Sequence, residues 1–395
     1  MSAPFSSTIA LNVQNNTTLP QSVSVLGGTQ DPLGVPPSVI YEYDLSGENY
    51  SGILTASIVI SNTSNPTPIK YTVQVNGGNI QALAIAFNTL NQGLFQSDGT
   101  TLYVSSDFYI YSNIGISGSS IFGTTGSQPQ GITIDSAGNI YTANVSSSDV
   151  SKITPLGVST ILGTTGSDPF GITIDSSGNI YTVNNQSDNV SKITPLGVST
   201  ILGTTGSQPQ GITIDLAGNI YTSNSGSDNV SKITPLGVST ILGTTGTTPI
   251  GITIDSLGNI YTANAGSDNV SKITPLGVST ILGTTGNFPI GITIDSSGNI
   301  YTANAGIGDV SKITPLGVST ILGTTGNNPN GITIDSSGNI YTANTGTDDV
   351  SKITPLGVST IIGTTGIAPS GITIDSFGNI YTANSGSDDV TVIVQ

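Results

Sequence analysis

Residues 131–142 read Gly-Ile-Thr-Ile-Asp-Ser-Ala-Gly-Asn-Ile-Tyr-Thr, and the opening Gly-Ile-Thr-Ile-Asp returns at 171, 211, 251, 291, 331 and 371. Seven copies at a constant spacing of 40 residues, without insertion, mark a repeat architecture. Within a copy, β-branched and apolar runs alternate with turn residues. Strand a is expected at Ile132–Asp135, b at Asn139–Asn144, c at Val150–Thr154 and d at Val158–Leu162. Turn or loop residues separate them at Ser136-Ala137-Gly138, at 145–149, at Pro155-Leu156-Gly157 and at Gly163-Thr164-Thr165-Gly166. No part of the unit has helical periodicity. Four short strands in 40 residues is the size of one β-propeller blade.

The ends of the array test this reading. The seventh copy stops after its strand c (Val390–Val394) and has no strand d. Ahead of the first copy, Ser119-Ser120-Ile121-Phe122-Gly123-Thr124-Thr125-Gly126 matches Ser159–Gly166 with Ser for Thr and Phe for Leu. The six complete d strands and this one make seven, so the first strand is expected to complete the last blade. Such closure leaves no strand edges between the two ends of the array. The expected fold is all-β: a seven-bladed propeller of four-stranded blades over 119–395, preceded by a small, mostly-β domain with one helix.

The pattern Pro129-x-Gly131-Ile132-Thr133-Ile134-Asp135-x-x-Gly138-Asn139-Ile140-Tyr141-Thr142-Ala143-Asn144 resembles NHL-type propeller repeats, including those of the streptogramin lyase-like group. The resemblance covers about 119–395 and implies the propeller fold. WD40 repeats match poorly, because the chain has no Trp. Lyases and gluconolactonase-type propellers of this kind place His or acidic metal ligands at unique spots around the channel. This chain has no His, and no blade carries an isolated acidic cluster on its inner strand. The resemblance therefore implies the fold without implying catalysis.

Composition narrows function independently. Of 395 residues, 23 are acidic and 7 basic, all of the latter Lys, for a net charge of −16. Without Cys there is no disulfide framework, thiol nucleophile or zinc ribbon. Without His there is no Ser-His-Asp triad and no imidazole ligand. An acidic chain without Arg repels phosphate backbones, which excludes nucleic acid as an expected partner. No run of 18 apolar residues is present, so membrane insertion is not expected. Met1-Ser2-Ala3-Pro4-Phe5 does not open a secretory signal.

The first 114 residues lack the repeat, and residues 115–118 read as a linker. Strands are expected at Ile9–Val13, Ser22–Leu26, Val39–Tyr43, Ile53–Ser61, Tyr71–Val75, Thr101–Ser105 and Phe108–Tyr111. Ile80, Leu83, Phe87 and Leu90 fall on one face at helical spacing, so a helix is expected from Asn79 to Asn91, ended by Gly93. Val75-Asn76-Gly77-Gly78-Asn79 and Ser97-Asp98-Gly99-Thr100-Thr101-Leu102-Tyr103-Val104 give this region a diffuse similarity to phage virion structural proteins.

The candidate chemistry reads mainly as structure. Asp135, Asp175, Asp215, Asp255, Asp295, Asp335 and Asp375 end their strands in Asp-x-x-Gly-Asn, where Asp caps a tight turn and Gly takes positive φ. A catalytic carboxylate pair needs two different environments, and seven equivalent positions supply seven equivalent ones. The b–c loops hold Asp149, Asp188, Asp228, Asp268, Asp348-Asp349 and Asp388-Asp389, oxygen ligands of the kind that suit Ca²⁺. None has the spaced pattern of a strong Ca²⁺ loop, so solvated turns are expected, with no metal and no cofactor; Ca²⁺ held by these loops is the alternative. One Lys per blade, at 152, 192, 232, 272, 312 and 352, is expected to pair with a loop Asp and to discourage edge pairing; blade seven has Val392 instead. Gly163-Thr164-Thr165-Gly166 lacks the Gly-Lys-Ser/Thr of a phosphate cradle. Sequons such as Asn16-Thr17-Thr18 and Asn189-Val190-Ser191 follow from composition.

The copies differ mainly before strand a and in the b–c loops, which alternating strand direction places on one face of the ring. Recognition is expected there, through Gln130, Phe170, Gln210, Ile250, Phe288, Ile290 and Asn328. The function expected is non-enzymatic: a virion or extracellular surface component, such as a fibre, decoration or attachment protein, assembled through residues 1–114. Its propeller would meet protein partners or surface glycans. The alternatives are a lyase- or lactonase-type enzyme and a stand-alone carbohydrate- or protein-binding module.

Overall fold

The structure is a computed structural model. It describes residues 118–394 throughout and, before them, the backbone of six strands: Thr8–Gln14, Val39–Asp44, Tyr50–Asn62, Asn65–Gly78, Ala82–Phe87 and Tyr109–Tyr111. The chain divides into two compact units, Met1–Ile116 and Ser117–Gln395.

In the first unit, Tyr50–Asn62 pairs antiparallel with both Thr8–Gln14 and Asn65–Gly78, and Ala82–Phe87 pairs with Val39–Asp44 and Tyr109–Tyr111. The helix expected from Asn79 to Asn91 is therefore a strand over Ala82–Phe87. In Ala82-Leu83-Ala84-Ile85-Ala86-Phe87 the large apolar residues recur every second position. That period-two pattern fits a sheet, and it prevails over the sparser 3.6-residue pattern of Ile80, Leu83, Phe87 and Leu90. The strands expected at Ser22–Leu26 and Thr101–Ser105 lie outside the described residues.

The second unit is a seven-bladed propeller. Blade one is a four-stranded antiparallel sheet of strands a (Pro129–Ile134), b (Ile140–Asn144), c (Asp149–Ile153) and d (Ser159–Thr164), hydrogen-bonded in chain order. The pattern repeats every 40 residues through blade seven, whose a, b and c strands are Pro369–Ile374, Ile380–Asn384 and Asp389–Val394. Its fourth strand is Gly118–Thr124, paired so that Asp389 faces Thr124 and Ile393 faces Ser119. Each innermost strand a lies against those of both neighbouring blades, and Pro369–Ile374 lies against Pro129–Ile134 to close the ring.

Two strand limits differ from the sequence reading by more than one residue. Strand a starts at Pro129, because Gln128 before it takes φ 57° and turns the chain sharply into the sheet. Strand d runs on to Thr164 through a β-bulge: Val150 faces Gly163, Ser151 faces Ile161, and Leu162 between them is unpaired. Leu162 packs against the core between blades one and two.

The cores lie between sheets, each drawing on two blades. Tyr141, Ala143 and Val150 of blade one meet Ile172, Ile180 and Ile193 of blade two. At the closure, Tyr381, Val390 and Val392 meet Ile140 and Ile153, with Phe122 packed against them. Phe122 sits edge-on to Tyr381, centroids 5.1 Å apart. Two of blade seven's departures are thus coupled: Phe122 replaces the bulge Leu, Val392 replaces the Lys, and both feed one apolar contact. Phe122→Ala is expected to lower unfolding stability by about 2–4 kcal/mol in a denaturant titration, as for a large-to-small change in a core.

Candidate functional site

Two kinds of site have to be weighed: the repeated Asp at the a–b turns and the variable loop face. At the turn, Asp135 Oδ1 accepts hydrogen bonds from the Ala137 and Asn139 amides at 2.9 and 2.8 Å. Its Oδ2 accepts from Asn139 Nδ2 at 2.8 Å and from the Tyr141 hydroxyl at 3.0 Å. The same four-bond cradle recurs at Asp175, Asp215, Asp255, Asp295, Asp335 and Asp375. These carboxylates cap their own turns, which is the role the Asp-x-x-Gly-Asn spacing implies.

The Tyr ring extends this network. Lys152 Nζ stands 5.7 Å from the Tyr141 centroid, and the equivalent Lys of blades two to six stand 5.4–5.6 Å from theirs. The Lys expected to pair with a loop Asp thus reaches the face of a Tyr whose hydroxyl donates to the turn Asp. It lies on strand c, the third strand, and not on the edge strand d.

Burial pushes the carboxyl pKa of Asp175, Asp215, Asp255, Asp295 and Asp335 upward, but the hydrogen bonds from the Asn side chain and amide, the Tyr hydroxyl and the turn amide outweigh it and hold them below the usual value. Burial first, then the neighbouring carboxylate, raises the paired tyrosines at 141, 181, 221, 261, 301 and 381 above the usual phenol value.

The b–c loops are tied down as well. Buried Asn144 donates to Asp149 Oδ1 at 2.6 Å and to Ser151 Oγ at 2.8 Å, and accepts from Thr142 at 2.8 Å. Ser151 in turn accepts from the Gly126 amide, which belongs to the preceding connection. Asp188, Asp228, Asp268, Asp348 and Asp388 each accept the backbone N–H of Gln208, Thr248, Phe288, Ala368 and Gln128, the left-handed residue preceding the next blade's strand a. The oxygens considered for Ca²⁺ therefore serve the loops themselves. Among the described residues no group of three or more acidic side chains is placed to hold a metal ion.

The loop-face residues fall into two structural positions. Phe288 and Asn328 are exposed and occupy the left-handed position before Pro, at φ 57° each. Gln130, Phe170, Gln210, Ile250 and Ile290 share the second position of strand a, where all are half-buried. Asn330 and Ser370 complete that ring and were missed by the sequence reading, although they lie 40-residue steps from Gln130. Each of these residues presses its backbone carbonyl on the preceding blade's glycine. A Cβ on Gly131 would lie 2.5 Å from Phe170 O, and one on Gly371 2.5 Å from Gln130 O.

The ring is divided by chemistry. Asn330 donates to Ser370 Oγ at 3.5 Å, and Ser370 donates to Gln130 Oε1, linking blades six, seven and one. Across the ring Phe170, Ile250 and Ile290 are apolar, and Gln210 is turned to Ser225 Oγ at 3.0 Å. Of the propeller's 17 Asp, ten lie on this loop face, while the seven turn Asp are offset by six Lys.

A ring of equivalent four-stranded blades closed by its own first strand defines a seven-bladed β-propeller. The chain belongs to the virginiamycin B lyase family, whose model matches residues 119–392. Among solved structures, the selenomethionine-substituted virginiamycin B lyase from Staphylococcus aureus is 20% identical, with TM-score 0.60, over 67% of this chain and 94% of that one. A streptogramin B lyase is 19% identical, with TM-score 0.61, over 69% and 96%. A catalytically inactive His-to-Ala variant of the S. aureus lyase, solved with quinupristin, is 20% identical, with TM-score 0.58, over 68% and 94%. At these identities the likeness is one of fold. No curated protein matches the sequence.

The pH dependence follows from the turn network. The lowered Asp values stabilise the fold above the unfolded carboxyl value of 3.8, a contribution lost as pH falls through the lower folded values. The raised Tyr values stabilise it below the unfolded phenol value of 10.0, a contribution lost as pH rises beyond that. The melting temperature, followed by circular dichroism, is expected to stay flat from about pH 5 to 9 and to drop on both sides.

Proposed function

We propose that the propeller is a non-enzymatic binding module that recognises a neutral, partly apolar ligand, of which a surface glycan is the concrete case, on its loop face. The carrying observation is the ring of second-position residues, where Phe170, Ile250 and Ile290 form an apolar arc opposite the hydrogen-bonded amide-and-hydroxyl arc of Asn330, Ser370 and Gln130. This is the mix of one stacking surface and a few convergent polar groups that small-ligand sites use. Ten surrounding carboxylates disfavour an anionic ligand.

Loss of lyase chemistry is part of the same reading. The staphylococcal relative is catalytically inactive when one histidine becomes alanine, and this chain has no histidine at all. Its repeated carboxylates cap turns and offer no second environment to make an acid–base pair. An acidic, thiol-free binding propeller suits a surface component, on a particle or a cell exterior. Family membership favours the alternative of a lyase-type activity, and quinupristin separates the two.

Incubated with the protein, quinupristin is expected to remain unchanged by liquid chromatography; its consumption would refute the non-enzymatic reading. On a glycan array, the fluorescently labelled chain is expected to bind neutral glycans and to lose at least about 10-fold in signal with Phe170→Ala, a fully lost aromatic contact being worth that much. Binding to no glycan, or binding indifferent to Phe170→Ala, would refute the ligand assignment.

A further inference from the structure

We infer that the seam between blades five and six holds a subsite for the acetamido group of an N-acetylated sugar. The inference rests on the reading of the loop face as a glycan-binding surface and names the group bound there. In five of the seven seams a b–c loop Asp accepts the amide of the residue before the next strand a, at 2.7–2.8 Å. Between blades four and five the same carboxylate takes a second bond. Asp268 Oδ1 accepts from the Phe288 amide at 2.8 Å, and Oδ2 accepts from Asn287 Nδ2 at 3.3 Å.

The next seam repeats both donors without the acceptor. Asn327 and Asn328 stand where Asn287 and Phe288 do, and Gly308 stands where Asp268 does. Asn328 and Phe288 share one backbone conformation, at φ 57° each. Asn327 and Asn328 are exposed, and among the described residues no group of the chain accepts from the Asn328 amide or from Asn327 Nδ2. One blade away, the molecule itself shows what this pair of donors holds: oxygen acceptors on a single carbon. The seam between blades one and two also lacks the Asp, having Ser148. There the residue before Pro169 is Asp168, which brings a carboxylate of its own, and Ser167 precedes it in place of Asn.

Charge and shape select the ligand group. Ten carboxylates on the loop face oppose an anion, whereas a neutral carbonyl oxygen can accept both N–H groups. Beside Gly308, Ile307 is 59% exposed at a position that is Ser or Thr in every other blade. An acetamido group supplies both halves, a carbonyl oxygen for the donors and a methyl on the same carbon for Ile307. The seam also lies where the apolar arc ends at Ile290 and the polar arc begins at Asn330, on adjoining inner strands. A sugar chain reaching from one arc to the other passes it.

Chitotetraose and cellotetraose differ only in bearing acetamido or hydroxyl groups, and titration calorimetry with the full-length chain compares them directly. Chitotetraose is expected to bind at least about 10-fold more tightly, the worth of two net hydrogen bonds. Gly308→Asp is expected to erase this preference by placing a carboxylate on the two donors. Its melting temperature is expected to hold or rise, because five Asp occupy the equivalent position at φ 48–56° and a Cβ at Gly308 meets nothing closer than Gly326 O at 3.3 Å. Asn327→Ala, which removes one donor and no core contact, is expected to cut the preference at least about 3-fold. Equal affinity for the two oligosaccharides overturns the subsite, as does a preference that survives both substitutions; in either case binding that still depends on Phe170 leaves the glycan reading standing. Binding of neither also overturns the subsite, and the glycan array then decides the wider reading by itself. Tighter binding of tetragalacturonate than of chitotetraose would overturn it too, making the seam a carboxylate site.

Discussion

Everything in the propeller depends on how closely the innermost strands approach. At Gly131 and its six equivalents the neighbouring blade's carbonyl occupies the space of a Cβ, within 2.6 Å in all seven cases. Only glycine permits that distance, and the distance sets the radius of the ring. A seven-fold repeat of one contact also explains why the repeat is so regular in length. An insertion in one blade would displace its inner strand and break contacts on both sides.

Around that inner ring, polar groups are arranged so that burial costs little. Strand b is buried along its whole length, including Thr142 and Asn144, yet both side chains are hydrogen-bonded and Asn144 links strand c to the connection from the preceding blade. The outer part of each blade repeats the theme with the turn Asp, the Tyr hydroxyl and the Lys above the ring. Because these networks recur from blade to blade, the Lys alone being replaced by Val392 in blade seven, they supply stability almost evenly. Most differences between blades lie in the loops and at the second position of strand a, and five of the residues just before that strand have their amide held by a neighbouring Asp, so recognition can vary there without altering the scaffold.

Much of this was legible in the residues. The 40-residue period, the four strands per unit and the match of 119–126 to 159–166 specify the ring and its closure, and Asp-x-x-Gly-Asn specifies the capped turn. What escaped depends on distance between segments far apart in sequence. The bulge at Leu162 appears only when strand d is set against strand c, and the Lys partner was assigned to a loop Asp because the Tyr directly opposite it on strand b is identified only once the b–c register is set. Over 79–91 two periodicities overlapped, and pairing partners decided for the strand. On the loop face the sequence gathered the variable residues but did not separate the ring at 130, 170, 210, 250, 290, 330 and 370, half-buried except for buried Ser370, from the residues before Pro. That separation needs the glycine–carbonyl packing.

The seam in blade seven answers a problem of identity that sequence repetition creates. Six c strands read Val-Ser-Lys-Ile and differ only at their first position, so an unmarked terminal d strand would find six near-equivalent edges on which to settle. The Phe122–Tyr381–Val392 cluster labels one of them, since a lysine in place of Val392 would sit where the phenyl group packs. The strand made first in the array thus waits for the strand made last, and the long loop this closes makes the final step of assembly slow and all-or-none.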